Sequence, residues 1–277
     1  MSTAIFGLIL IAAVFHATWN AIVKAGSNKF LTTVLVTASA AVLAALLLPF
    51  FPIPHRASWP YILASTGIQI LYFGMVAKIY RVADMGLSYP LMRGTAPLIV
   101  AVLGTFLLHE TLELNAWLGI ITISIGILSM IFATSQTGRK GIGLALLNAV
   151  LIAGYTLVDG HGIRLSGSPI SYILWSFVLS GLIFFMFALK MQYHQIGNYF
   201  RHNWHFGLIG GIGSFFSYGL ALWAMTLAPV AIVAALRETS ILFATLISIF
   251  ILKEQVNTIR IISSCIILIG ALVLRAV

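Results

Sequence analysis

Apolar positions in this chain neither alternate with polar ones nor recur as a single helical stripe. They run on in blocks of about twenty residues, separated by short polar connectors. A block of that length suits a helix crossing a hydrocarbon core about 30 Å thick, whereas a barrel strand would alternate over about ten residues. Ten blocks can be placed, at about 4–23, 31–51, 60–80, 86–108, 114–133, 141–159, 169–189, 205–225, 230–252 and 256–275. The pattern predicts an all-α integral membrane protein of ten transmembrane helices. Pro49, Pro52 and Pro54 close the second block, Gln136-Thr137-Gly138-Arg139-Lys140 separates two halves, and Gln192 to Asn203 is the longest polar connector. No stretch is left for a soluble domain. The first block lacks a basic flank and outruns a signal-peptide core, so it reads as an uncleaved span.

Composition agrees with the pattern. At 61% hydrophobic and 8% charged residues, with a mean hydropathy of +1.08, the chain has too few charges to clothe a soluble globule. Its formal charge of +9 comes without any basic cluster interleaved with aromatics, so no nucleic-acid partner is expected. The basic residues serve as topology signals instead. Connectors after the odd-numbered blocks hold Lys24, Lys29, Lys78, Arg81, Arg139, Lys140, Lys190, Arg201, Lys253 and Arg260, against Arg56, Arg164 and Arg275 on the other side. The positive-inside rule then puts the richer side in the cytoplasm and both termini outside. The lone cysteine, Cys265, excludes an intrachain disulfide and is expected to be a buried, inert thiol.

An offset of 144 positions superposes the halves: Gly67 falls on Gly211, Arg93 on Arg237, Thr95 on Thr239, Glu110 on Glu254 and Gly126 on Gly270. Arginine and glutamate are scarce here, so their coincidence carries the weight. The first spans align at an offset of 136, with Gly7 on Gly143 and Trp19 on Tyr155. Five spans is an odd number, so the second half must enter the membrane in the opposite sense. The expected domains are therefore two inverted five-helix repeats, 4–135 and 140–275, with a site near the midplane at their interface.

Arg93 and Arg237 mark that site. An arginine at a helix centre costs roughly 2.5 to 3.5 kcal/mol on insertion scales. Either each snorkels or pairs with backbone, or one or both face a cavity and hold an anionic group with the guanidinium fork. Glu238 stands where the first half has Gly94. It is expected to reach across the repeat interface toward Arg93, leaving Arg237 for substrate, or else to titrate during transport. His16, Asn20 and Lys24 form one stripe of the first span, with Trp19 beside it, and Asn148, Tyr155 and Asp159 a similar stripe of the sixth. Lys24 and Asp159 are read as interfacial anchors, and His16 as an interhelical hydrogen bond or a ligand contact. Gln69, Tyr72 and Phe73 on the third span, with Ser214, Ser217 and Tyr218 on the eighth, are either packing residues or pocket walls. The substrate-binding set is thus His16, Trp19, Asn20, Gln69, Tyr72, Arg93, Tyr155, Ser217, Tyr218, Arg237 and Glu238. Gly207 to Gly211, and Thr37, Ala41 and Ala45, read as small-residue faces for close helix packing. His109-Glu110-Thr111-Leu112-Glu113 lacks the second histidine of a zinc protease motif, so Glu110 reads as a cap or loop tie. Neither a metal site, a cofactor nor an enzyme's nucleophile and base is expected.

Pro97-Leu98-Ile99-Val100-Ala101-Val102-Leu103-Gly104-Thr105-Phe106-Leu107-Leu108-His109-Glu110, followed by Trp117-Leu118-Gly119 and Ile125-Gly126-Ile127, resembles the fourth and fifth helices of an EamA domain of the drug/metabolite transporter superfamily. Ala228-Pro229, Lys253-Glu254 and Ile269-Gly270 repeat the pattern, with Ile241 in place of the proline and Ser263 in place of a glycine. The glycine-glutamate ending typical of that fourth helix becomes His-Glu and Lys-Glu. The resemblance implies a ten-helix secondary transporter in the cytoplasmic (inner) membrane. It would move a small polar metabolite, amino acid-like or otherwise anionic or zwitterionic, outward by alternating access. Its partners would be the solute and the lipid bilayer, as a monomer or homodimer. The competing expectations are a flippase for a lipid-linked substrate and a non-transporting membrane scaffold.

Overall fold

The computed structural model describes residues 1–82, 85–133, 141–251, 253 and 257–277. Glu254 and the connector from Gln136 to Lys140 lie outside the described residues. The described residues are almost entirely helical: α1 (Thr3–Ala25), α2 (Lys29–Leu47), α3 (Trp59–Val82), α4 (Met85–Leu107), α5 (Leu114–Ser129), α6 (Ile142–Leu165), α7 (Pro169–Ala224), α8 (Val230–Arg237), α9 (Ser240–Phe250) and α10 (Thr258–Arg275). Short polar side chains start several of them. Ser2, Asn28 and Asn257 each accept a backbone N–H of the first turn of α1, α2 and α10.

Eight helical segments among the described residues are long and apolar enough to cross a bilayer, with α8 and α9 counted as one and α7 counted once. α3 has the length, at 24 residues, but is more polar. α7 runs for 56 residues, about 84 Å at 1.5 Å per residue and far more than one crossing. Non-helical backbone at Gln192 and Asn203 divides it into two limbs. The segment between them, read from the sequence as a polar connector, is itself helical. Its Ile196 is buried against Leu31 and Val34, and Tyr199 bonds Thr32 through their hydroxyls at 2.7 Å. A polar composition does not preclude a helix when one face can bury apolar groups.

The small residues are where helices approach most closely. A Cβ on Gly181 would strike Ala41 and the Thr37 carbonyl, and one on Gly207 or Gly211 would strike Ser39, so α2 is wedged between the two limbs of α7. Across the α5–α10 crossing the contacts are reciprocal. Gly270 lies against Ile123 and the Gly119 carbonyl, while Gly126 lies against Ile267 and the Ser263 carbonyl. Positions 119, 123 and 126 correspond to 263, 267 and 270 at the offset of 144, so each contact has its counterpart. As the α5 number rises from Gly119 to Gly126, the α10 partner falls from Leu274 and Gly270 to Ile267 and Ser263, so the helices cross antiparallel. α6 packs on α3 and α4 much as α1 packs on α7, α8 and α9.

Glu110 ties one end of the bundle together. Its carboxylate accepts the Val230 N–H through both oxygens, at 2.9 and 3.0 Å, capping α8, and Arg164 Nη2 at 2.7 Å. Arg164 also donates to the carbonyls of Met225 and Ala228. The residue before this glutamate, His109, has φ of 53°, and Lys253 has φ of 52°. That left-handed conformation favours glycine, which accounts for the glycine-glutamate ending of the fourth helix described above. Large apolar side chains such as Leu46, Phe106, Leu114 and Leu272 are exposed, as suits a surface solvated by lipid tails. Cys265, expected to be buried, is exposed as well, because it lies on the outer face of α10.

Candidate functional site

Between α1, α2, α3, α4, α6, α7 and α8 lies a cavity of about 170 Å³. Ten of the eleven residues predicted as substrate-binding line it: His16, Trp19, Asn20, Gln69, Tyr72, Arg93, Tyr155, Ser217, Tyr218 and Arg237. Glu238 does not. It lines a much smaller void beyond the arginines, shared with Arg93 and Arg237. Cavity residues 16–20 of α1 and 33–37 of α2 lie within three turns of the α1–α2 connector, so the cavity sits toward the end of the bundle opposite the Glu110 clasp.

The two equivalent arginines differ in their partners. Arg93 is 7% exposed, and its Nε lies 2.9 Å from Glu238 Oε2, across the two halves. Its Nη2 reaches His16 Nε2 at 3.4 Å, and His16 Nδ1 meets Ser217 Oγ at 3.2 Å. A guanidinium only donates, so in this chain Nε2 accepts and the ring proton sits on Nδ1, facing Ser217. Arg237, 9% exposed, lies over the ring of Tyr218, 5.1 Å from its centroid. Among the described residues its guanidinium forms no salt bridge.

Local structure explains how two arginines at one repeat position come to differ. α4 is continuous through Pro90 and Pro97, and Arg93 lies within it. The equivalent segment breaks at Glu238 and Thr239, where Glu238 N bonds Ala235 O and Thr239 N bonds Leu236 O in tighter turns. Arg237 therefore ends α8, where the helix dipole favours a cation. The break turns Glu238 toward Arg93.

Behind the cavity wall lies Asp159, fully buried, accepting the hydroxyls of Ser65 (2.7 Å), Tyr172 (2.8 Å) and Tyr218. Ser65 also accepts Gln69 Nε2 at 3.0 Å. Two cavity side chains, Gln69 and Tyr218, are thereby oriented through one carboxylate. This corrects the reading of Asp159 as an interfacial anchor. α6 continues to Leu165, so Asp159 stands six residues inside the helix, not at its end. Asn148, from the same stripe, is buried beside Met92 and does not line the cavity. Thr33, Tyr89, Ser176, Ser180 and Phe184 line it without having been singled out, and Thr37 does so while also packing against Gly181. In sequence these are ordinary side chains within apolar runs. The only clue lies in helical spacing: Tyr89 stands one turn before Arg93, and Ser176 and Ser180 stand one turn apart. No group of three or more metal-ligating side chains occurs among the described residues.

The described residues thus form a helical bundle with apolar outer faces and an arginine-bearing cavity, as suits a membrane protein. The chain belongs to the EamA-like transporter family, which matches it twice, at residues 3–132 and 139–276. It is a multi-pass membrane protein of the drug/metabolite transporter superfamily. A solved crystal structure of a protein is similar to it, with a TM-score of 0.75 at 16% identity over 99% of this chain and 96% of that one. That likeness shows the fold. No curated protein matches the chain.

Proposed function

We propose that the chain is a secondary transporter moving a small anionic or zwitterionic solute, amino acid-like or otherwise, outward across the cytoplasmic membrane by alternating access. Ten crossings follow if α3 and both limbs of α7 span the bilayer alongside the other apolar segments. The antiparallel, reciprocal α5–α10 contacts support an inverted relation between the five-helix halves, whose axis would lie in the membrane plane. With basic-rich connectors in the cytoplasm, the cavity faces the cytoplasmic side and the Glu110 clasp closes the outer one. That arrangement suits loading of a solute for export.

The observation that carries the reading is the asymmetry of the arginines. Arg93 is neutralised by Glu238, while among the described residues the Arg237 fork, in the cavity, forms no salt bridge. Purified protein in liposomes tests it. Counterflow of labelled anionic or zwitterionic solutes is expected, in preference to cationic ones. Lipid scrambling without solute movement would point to a flippase, and neither activity to a scaffold.

A further inference from the structure

We infer that the solute is a one-ring aromatic monoanion carrying no ammonium group, so that amino acids are poor ligands; this rests on the transporter reading above and narrows its substrate class. Charge gives the first argument. The cavity wall holds two guanidiniums and, among the described residues, no carboxylate. Glu238 lies beyond the wall against Arg93, Asp159 is taken by three hydroxyls, and Glu110 belongs to the clasp at the other end. An α-amino acid whose carboxylate met Arg237 would carry its ammonium within a few ångströms of the same guanidinium, with no anion on the wall to offset the repulsion. A single negative charge matches the one cavity guanidinium that forms no salt bridge among the described residues.

Shape gives the second argument. Trp19, Tyr72, Phe73, Tyr155, Phe177 and Tyr218 are among the residues that line the cavity, and contacts such as Tyr72 on Tyr155 and Tyr155 on Tyr218 run edge to face at 5.9 and 6.3 Å. Such walls reward a flat apolar body with further edge-to-face and stacked contacts. At about 170 Å³ the space is close to the roughly 150 Å³ cavity that admits benzene in another protein, and well below drug-sized pockets of about 300 Å³ or more. One ring and a carboxylate fit within it. Tyr218 sets their relative placement, since its hydroxyl is fixed by Asp159 and its face backs Arg237.

Equilibrium calorimetry on the full-length protein in detergent tests this with four probes: benzoate, acetate, phenylalanine and phenethylamine. Benzoate should bind at least tenfold tighter than each of the others, the ring being missing from acetate and the net negative charge from the two amines. Arg237→Gln should abolish benzoate binding, and Arg237→Lys should retain a weakened form of it. Phenylalanine or phenethylamine binding as tightly as benzoate would overturn the inference, as would acetate matching benzoate. Phenylalanine counterflow in liposomes together with absent benzoate binding would leave the transporter reading standing and overturn this one. Absence of binding and movement for every solute would overturn both. Because the selectivity is read on the unaltered protein, the test holds even if an Arg237 variant misfolds.

Discussion

Arg93 and Arg237 occupy one position of a repeated unit, yet one is built into the scaffold and the other is left to the cavity. Arg93 sits in an unbroken helix with a carboxylate at 2.9 Å and a histidine at 3.4 Å. Arg237 ends a broken helix, lies over the face of a tyrosine whose hydroxyl is tied elsewhere, and forms no salt bridge among the described residues. Among the differences between the two segments is Glu238 where the first half has Gly94. In the first half a side chain at Gly94 would strike Leu128 and Ile127 of α5, so that position is closed to an acid by packing. The repeat supplies two equivalent cations, and the acid without a counterpart pairs with one of them.

The largest effect should come from breaking the pair. Glu238→Ala strands a buried guanidinium and should cost about 3–5 kcal/mol of stability, read as thermal unfolding in detergent. Arg93→Met with Glu238→Leu should recover most of that loss, since removing both charges also removes their desolvation cost. Unchanged melting of Glu238→Ala would mean that Arg93 needs no partner and that the two arginines are alike.

Next in size is Arg237→Ala, expected to weaken binding of an anionic solute tenfold or more, about 1.4 kcal/mol, with melting close to the parent. Arg93→Ala should show the reverse weighting, with lost stability preceding lost binding. Equal losses of transport from two well-folded variants would erase the division of roles. The smallest effect is that of Tyr218→Phe. Removing one hydroxyl from Asp159 should cost about 1.5–3 kcal/mol at most and less than tenfold in solute binding, because the ring behind Arg237 remains. A loss of binding as deep as that of Arg237→Ala would show that the hydroxyl, not the guanidinium, holds the solute.

Much of this was legible along the chain. Burying charge in a membrane is costly, so the few charged side chains inside apolar runs point to partners or ligands, and Arg93, Arg237 and Glu238 stand out on that ground. The spacing of His16 and Asn20 along α1 set both on one helix face, and the structure turns that face to the cavity. Asp159 was misjudged because the predicted end of its helix fell six residues short, and the location of a helix end is weakly encoded where apolar residues continue past it. Cys265 was misjudged because, inside a bilayer, an apolar helix is buried from water on every face, and composition cannot distinguish lipid from protein as its neighbour.

The sequence by itself determined the membrane class, the apolar spans, the internal repeat and the arginine position at its heart. All of these rest on linear properties: block length, periodicity and the scarcity of charge. The tertiary structure decided that the long connector between the limbs of α7 is helical, that the second arginine segment breaks, and that Glu238 turns to Arg93 behind the cavity wall. It also decided which unremarkable serines, threonines and aromatics form that wall. These depend on which face of each helix meets which neighbour, and the crossings at Gly119, Gly126, Gly181, Gly211 and Gly270 set that through packing between residues far apart in the chain.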